Sequence, residues 1–134
     1  MLRFLLDTNI CIYVIKNKPV ECRELFRQHT GSMAISSVTL AELLYGARKS
    51  EQQVRNLRTV EEFAARLEVL DFDGHAADHF GDIRSTLERE GQTIGPYDLM
   101  IAGHARSEGL TLVTNNVKEF NRVAGLRVVN WVDS

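Results

Sequence analysis

The chain has 134 residues, 44% of them hydrophobic and 25% charged, with a formal net charge of −2. That is the size and balance of one ordinary globular domain with a real core, and it excludes a disordered, collagen-like or globally basic polyanion-binding protein. Two cysteines, Cys11 and Cys22, are too few for a disulfide framework, and the sequence has neither a CxxC pair, a signal peptide nor a run long enough to span a membrane, so a cytoplasmic protein is expected.

Met1 to Leu6 is an apolar run broken only by Arg3, and it stops at Asp7. It is short and has no helical spacing, which predicts a buried strand with Asp7 at its carboxyl end. Ile10 to Ile15 predicts a short helix closed by Lys16-Asn17-Lys18-Pro19, and Val20 to Gln28 a second, with Leu25 and Phe26 turned inward. Met33 to Ser36 reads as a strand. Ser37 or Thr39 is placed to cap the next helix, where Leu40, Leu43, Leu44 and Ala47 fall on one face and Glu42 lies off it. Glu51 to Arg66 predicts a longer helix, with Val54, Leu57, Val60, Phe63, Ala64 and Leu67 on its apolar side.

Leu67 to Phe72 alternates as an edge strand would, and Asp73 caps a helix to about Glu90 that buries Ala76, Ala77, Phe80, Ile83 and Leu87. Pro96 suits a first helical turn, so Tyr97 to Ser107 is a helix that Gly109 ends. Leu110 to Thr114 is a strand, Val117 to Phe120 a helical turn, and Leu126 to Trp131 the last strand. Strands alternating with helices imply parallel pairing through right-handed crossovers, an α/β fold in one domain spanning residues 1–134.

In a parallel sheet the carboxyl ends of all strands share one edge, where ligands bind. Asp7 ends the first strand, Glu42 lies about a turn into the helix after the second, Asp98 opens the helix leading into the fourth, and Asn115, Asn116 and Glu119 follow the fourth. Each has an ordinary structural use: Asp7, Thr8 and Asn9 as helix caps, Thr39-x-x-Glu42 as a capping box, Asp98 as a first-turn acid, Glu119 as a solvated one. Together they are harder to dismiss. Two carboxylates 4 Å apart repel by about 4 kcal/mol at an effective dielectric of 20, so gathering three calls for protons or a cation. Oxygen donors without histidine or cysteine suit Mg²⁺ or Mn²⁺, ions that act on phosphate groups.

Weaker candidates are His75 with His79, an i, i+4 pair without a third ligand, and His104, which has no nucleophile nearby in sequence. Tyr45, Tyr97 and Phe120 read as core or rim residues rather than a base-stacking platform. Of the local basic groups, Lys16, Lys18, Arg48 and Lys49 lie nearest the acid edge.

Four segments, in order, resemble a PIN-domain ribonuclease of the VapC toxin type: Leu5-Leu6-Asp7-Thr8-Asn9; Ile35 to Leu43 with Tyr45-Gly46-Ala47; Pro96-Tyr97-Asp98-Leu99-Met100-Ile101-Ala102; and Leu112 to Asn116 ending in Glu119-Phe120. The resemblance implies a three-layer sandwich around a five-stranded, mostly parallel sheet, and Mg²⁺-dependent endonucleolytic cleavage of RNA. Asp7, Glu42 and Asp98 match the family's acids as metal ligands, and Thr114 its hydroxyl position, while Asn116 stands where members often carry a fourth acid, a role Glu119 would take over. Asn9 supports the same site. The resemblance also implies in-line attack by a metal-activated water, leaving a 5′-phosphate and a 3′-hydroxyl, a homodimer, and inhibition by a cognate VapB-type antitoxin. Enteric-type members with a Gly-Pro-Tyr-Asp turn cut initiator tRNA in its anticodon loop, so tRNA is the expected substrate.

The alternative is a non-catalytic Mg²⁺- or RNA-binding module of PIN-like or receiver-like type. A receiver would need an acid beside Asp7 and a lysine closely following the fourth strand, where none occurs before Lys118; a haloacid-dehalogenase-type phosphatase would need a second aspartate at Asn9.

Overall fold

A computed structural model describes residues 1–132. Five strands and seven helices follow one another as β1 (Phe4–Leu6), α1 (Thr8–Lys16), α2 (Val20–Gln28), β2 (Met33–Ser36), α3 (Ser37–Arg48), α4 (Gln53–Ala64), β3 (Glu68–Leu70), α5 (Gly74–Arg89), α6 (Pro96–Glu108), β4 (Thr111–Val113), α7 (Val117–Phe120) and β5 (Val128–Val129). The strands form one sheet in the order β3-β2-β1-β4-β5, every neighbour parallel. β1 is central, with Phe4 opposite Met33 on one side and Thr111 on the other.

The apolar run that begins the chain has no polar phase because both faces of β1 are covered. Phe4 and Leu6 point into a core built with Ile10, Val14, Phe26, Ile35, Leu43 and Phe63, under α1 to α4. Leu5 points the other way, into a core with Ala34, Ile83, Ile101, Ala102, Leu112 and Phe120, under α5 to α7. Alternate residues of a strand face opposite sides, so three layers follow directly from a strand apolar throughout. No helix among the described residues is long and apolar enough to cross a membrane.

The structure corrects three details of the sequence reading. The cap of α3 is Ser36, whose hydroxyl accepts from the Val38 N–H at 3.0 Å. Ser37 instead accepts from the Phe72 N–H, and Thr39 is buried. With the helix starting one residue after Ser36, Glu42 stands too far in for a capping box. Val54 is 75% exposed rather than on the packed side of α4, because that helix begins at Gln53 and its first turn overhangs the core. Ala77 is also exposed, whereas Asp73 caps α5 as expected, accepting from Ala76 at 3.0 Å.

α5 and α6 pack backbone against backbone at Gly103. A Cβ there would lie 2.8 Å from the Phe80 nitrogen and 3.2 Å from the Ala76 carbonyl. Neither backbone atom can step aside without moving the helix, so Gly103→Ala should destabilise the protein by about 1–3 kcal/mol, an overpacking cost read in urea unfolding.

Candidate active site

Asp7 leaves β1 and at once becomes the N-cap of α1. Its backbone N–H donates to the Val113 carbonyl at 3.0 Å, and its Oδ1 accepts from the Ile10 N–H at 2.8 Å. The residue is thus pinned between β1 and β4, where the strand order reverses direction away from the central strand. This is the crevice in which open α/β sheets bind ligands. The cap reading of Asp7 is correct, and it leaves oxygen lone pairs over.

Asp7 is only 3% exposed. Burial is the main force raising its pKa, from the ordinary 3.8 to about 6. Hydrogen bonds from the Thr114 side chain and the Ile10 N–H pull it back down, and the charges of Asp98 and Glu42 push it further up. Asp98, in the first turn of α6 just after Pro96, is raised by burial, then by Glu119 and Glu42. Acids from separate elements therefore act on the two aspartates: Glu42 on both, Asp98 on Asp7, and Glu119 on Asp98.

Glu42 is held in place by a residue that the sequence reading considered only as a cap. The Thr8 hydroxyl donates to Glu42 Oε1 at 2.6 Å, and Thr39 Oγ1 lies 3.3 Å from Thr8 Oγ1. Thr8 follows Asp7 directly, so one turn of backbone fixes two acids. Its signal in the sequence was a hydroxyl beside an acid at a strand end, which capping explains equally well. Thr8→Val keeps the shape and removes the donor. It should leave stability within about 1 kcal/mol of wild type and lower kcat/KM by about tenfold, the loss of one charge-assisted hydrogen bond, as measured by initial rates of RNA cleavage.

Thr114 is fully buried at the end of β4, and besides serving Asp7 its hydroxyl accepts from the Asn116 N–H at 2.9 Å. Asn116 precedes α7 without a side-chain cap bond, and Glu119 sits in that helix facing Asp98's charge. Asn9 is exposed and lines, with Thr8, Glu42, Tyr45, Lys49 and Tyr97, a cleft of about 730 Å³. A second hollow of about 380 Å³, lined by Ile12, Lys16, Leu43 and Val60, also reaches Glu42. The histidines, weaker candidates from the outset, lie elsewhere. His79 Nδ1 accepts from Arg106 at 2.9 Å, His75 is exposed, and the buried His104 Nδ1 lies 2.8 Å from Ser36 Oγ. Phe120 is core.

Among the described residues no three of the acids, histidines or cysteines are close enough to make a ready metal cage. The donor set itself is oxygen alone, with a buried carboxyl that no lysine or arginine among the described residues pairs with. Such a set fits a hard divalent ion that keeps several waters and takes one or two carboxylates plus substrate phosphate, and does not fit zinc.

A buried aspartate at the switch point of a five-stranded parallel sheet, with further acids from α3 and α6, is the layout of a PIN domain. The sequence profile of the PIN domain matches residues 4–126, and the chain belongs to that family. Its relatives are VapC ribonucleases. The chain is 59% identical to the tRNA(fMet)-specific endonuclease VapC of Shigella flexneri over 98% of its own length and 99% of that protein's. It is 53% identical to ribonuclease VapC2 of Haemophilus influenzae over 98% and 100%. The crystal structure of DNA-bound VapBC from Salmonella typhimurium contains a chain that superposes with a TM-score of 0.95 at 57% identity, covering 98% of this chain and all of that one.

Proposed function

We propose that this chain is the toxin of a VapBC pair, a single PIN domain over residues 1–134 that hydrolyses RNA phosphodiester bonds with Mg²⁺ held by Asp7, Asp98 and Glu42. Mn²⁺ substitutes for it, the substrate is initiator tRNA cut in the anticodon loop, and a VapB-type antitoxin restrains the enzyme in the cytoplasm. The observation that carries the reading is Asp7: a carboxyl buried at a ligand-binding edge, with two further acids adding like charge, is destabilising until a cation arrives. The tRNA assignment is supported by relatives in Shigella flexneri and Salmonella typhimurium, both described as tRNA(fMet)-specific endonucleases. The partner is supported by VapBC structures from Salmonella typhimurium and Rickettsia felis. The active form is a homodimer.

A Mg²⁺ ion held by Asp7, Asp98 and Glu42 would supply neutralisation of phosphoryl oxygens and acidification of water. The protein's residues prepare for it. Ile10 and Thr114 fix the Asp7 carboxylate by hydrogen bonds, so its orientation needs no adjustment when substrate arrives. Thr8 does the same for Glu42. Asp98, half-buried and with its pKa raised by burial and by the charges of Glu119 and Glu42, would complete the set of oxygen donors with Asp7 and Glu42. Asn116 offers an oxygen without adding a further charge.

Incubating initiator tRNA with the protein and mapping the ends tests this reading. A single Mg²⁺-dependent cut leaving a 5′-phosphate and a 3′-hydroxyl is the expected outcome. Tight binding that leaves the RNA whole would instead make the chain a binding module.

A further inference from the structure

Tyr45 and Tyr97 stand out because, among the described residues, neither packs in a core and neither hydroxyl makes a hydrogen bond within the protein. They are 66% and 56% exposed, and neither belongs to either apolar core. Both line the 730 Å³ cleft that also holds Glu42 and Asn9, a volume within the roughly 300–1,000 Å³ of ligand-binding clefts. Each is tied to an acid by local geometry. Tyr45 is three residues after Glu42 on α3, hence on the same face, and Tyr97 directly precedes Asp98 at the start of α6. The Lys49 ammonium lies over the Tyr45 ring, 5.0 Å from its centre, which puts a cation on one face of an exposed ring.

We infer that Tyr45 and Tyr97 form a base-stacking subsite for unpaired nucleotides next to the scissile phosphate, with Lys49 on the backbone phosphate beside them. This deepens the proposed function and rests on it for the position of the phosphate. A strand whose phosphate lies at the acids carries its neighbouring bases through the cleft that these rings line. Single-stranded RNA presents π faces that duplex RNA hides, and proteins read loops by stacking such bases on aromatic rings. The subsite selects unpaired RNA over duplex by shape, whichever bases are present. It also explains why two tyrosines stay exposed where burial in a core would be more stabilising: their apolar surface is covered only when substrate is bound.

The test uses the full chain with an RNA stem-loop and a set of the same stem-loop carrying one abasic nucleotide at each loop position. Binding is measured with Mg²⁺ in an Asp7→Asn background, and cleavage in the otherwise wild-type protein. Tyr45→Ala and Tyr97→Ala should each weaken binding by about tenfold or more and raise KM more than they lower kcat, while Tyr45→Phe and Tyr97→Phe stay within about twofold. For each tyrosine the penalty of the alanine variant should disappear on one particular abasic RNA, a result that a merely structural role would not give. Alanine variants that bind as wild type, or a penalty that is the same on every abasic RNA, would overturn the subsite. So would a loss that tracks dissociation of a dimer in sedimentation, since the rings would then serve a contact between copies. RNA bound through the tyrosines but not cut by the wild type would sink the nuclease and leave the subsite standing. Cleavage indifferent to the tyrosines would do the reverse.

Discussion

Asp7→Asn should abolish RNA cleavage and at the same time make the metal-free protein more stable at neutral pH. The two effects have one cause. Asp7 is buried as a carboxylate whose pKa is raised to about 6 in the fold, against 3.8 unperturbed, a difference worth about 3 kcal/mol when the group is ionised. Asparagine keeps the acceptor that caps α1 at the Ile10 N–H and loses the charge. The native state binds the Asp7 proton more tightly than the unfolded chain does. Wild-type stability from this group is therefore complete below pH 3.8 and is lost as pH rises through about 6. The variant's advantage should be largest above pH 6, shrink between 6 and 3.8, and vanish below. Thermal melts in EDTA across that range read it directly, with a gain of roughly 5–10 °C at neutral pH. Adding Mg²⁺ should raise the melting temperature of the wild type and not of Asp7→Asn, closing the gap. A variant that melts lower than wild type at neutral pH would mean that the carboxylate is stabilising by itself, without a cation.

Asp98→Asn should cost cleavage about as much, on the order of a thousandfold or more, but gain less stability. Losing one carboxylate of a phosphate-processing metal site removes several kcal/mol of transition-state stabilisation. Asp98, however, is half-buried in the first turn of α6, and its raised pKa owes part of its cause to Glu119 and Glu42 rather than to burial alone. Water screens such a group, so its contribution to unfolding is discounted. Glu119→Gln should lower the pKa of Asp98 by removing the stronger of the two like charges that raise it, which the acidic limb of the pH–rate profile would show as a downward shift. The contrast between the two aspartates is one of burial: both serve cleavage, and Asp7 carries the larger folding penalty. If both were surface caps, neither substitution would touch cleavage.

The sheet was legible in the chain because its inner strands have no polar phase. Leu5 and Leu6 serve opposite cores, so the run reads as strand from composition alone. Asp73, Pro96 and Gly109 marked helix ends by chemistry that acts within a few residues, and the structure keeps all three. Where competing hydroxyls stood side by side, local rules could not choose. Ser36, Ser37 and Thr39 can all cap, and the choice of Ser36 is settled by long-range packing: Ser37 serves the Phe72 N–H, and Ser36 Oγ also meets His104 from α6. Glu42 shows the same limit at the site. As part of Thr39-x-x-Glu42 it looked like half of a capping box, and only the folded chain brings Thr8 to it across 34 residues of sequence. Tyr45 and Tyr97 were legible as rim residues, yet not as neighbours of one cleft, since that depends on α3 and α6 meeting beside the sheet edge.

One measurement bears most directly on the metal-carboxylate site: initiator tRNA incubated with wild type and with Asp7→Asn, each with Mg²⁺ and with EDTA, followed by mapping of the new ends. The wild type with Mg²⁺ should give one cut in the anticodon loop with a 5′-phosphate, and the other three incubations should leave the tRNA intact. Cleavage that persists in EDTA, or in the Asp7→Asn protein, would show that the buried aspartate and its cation are not the source of the activity.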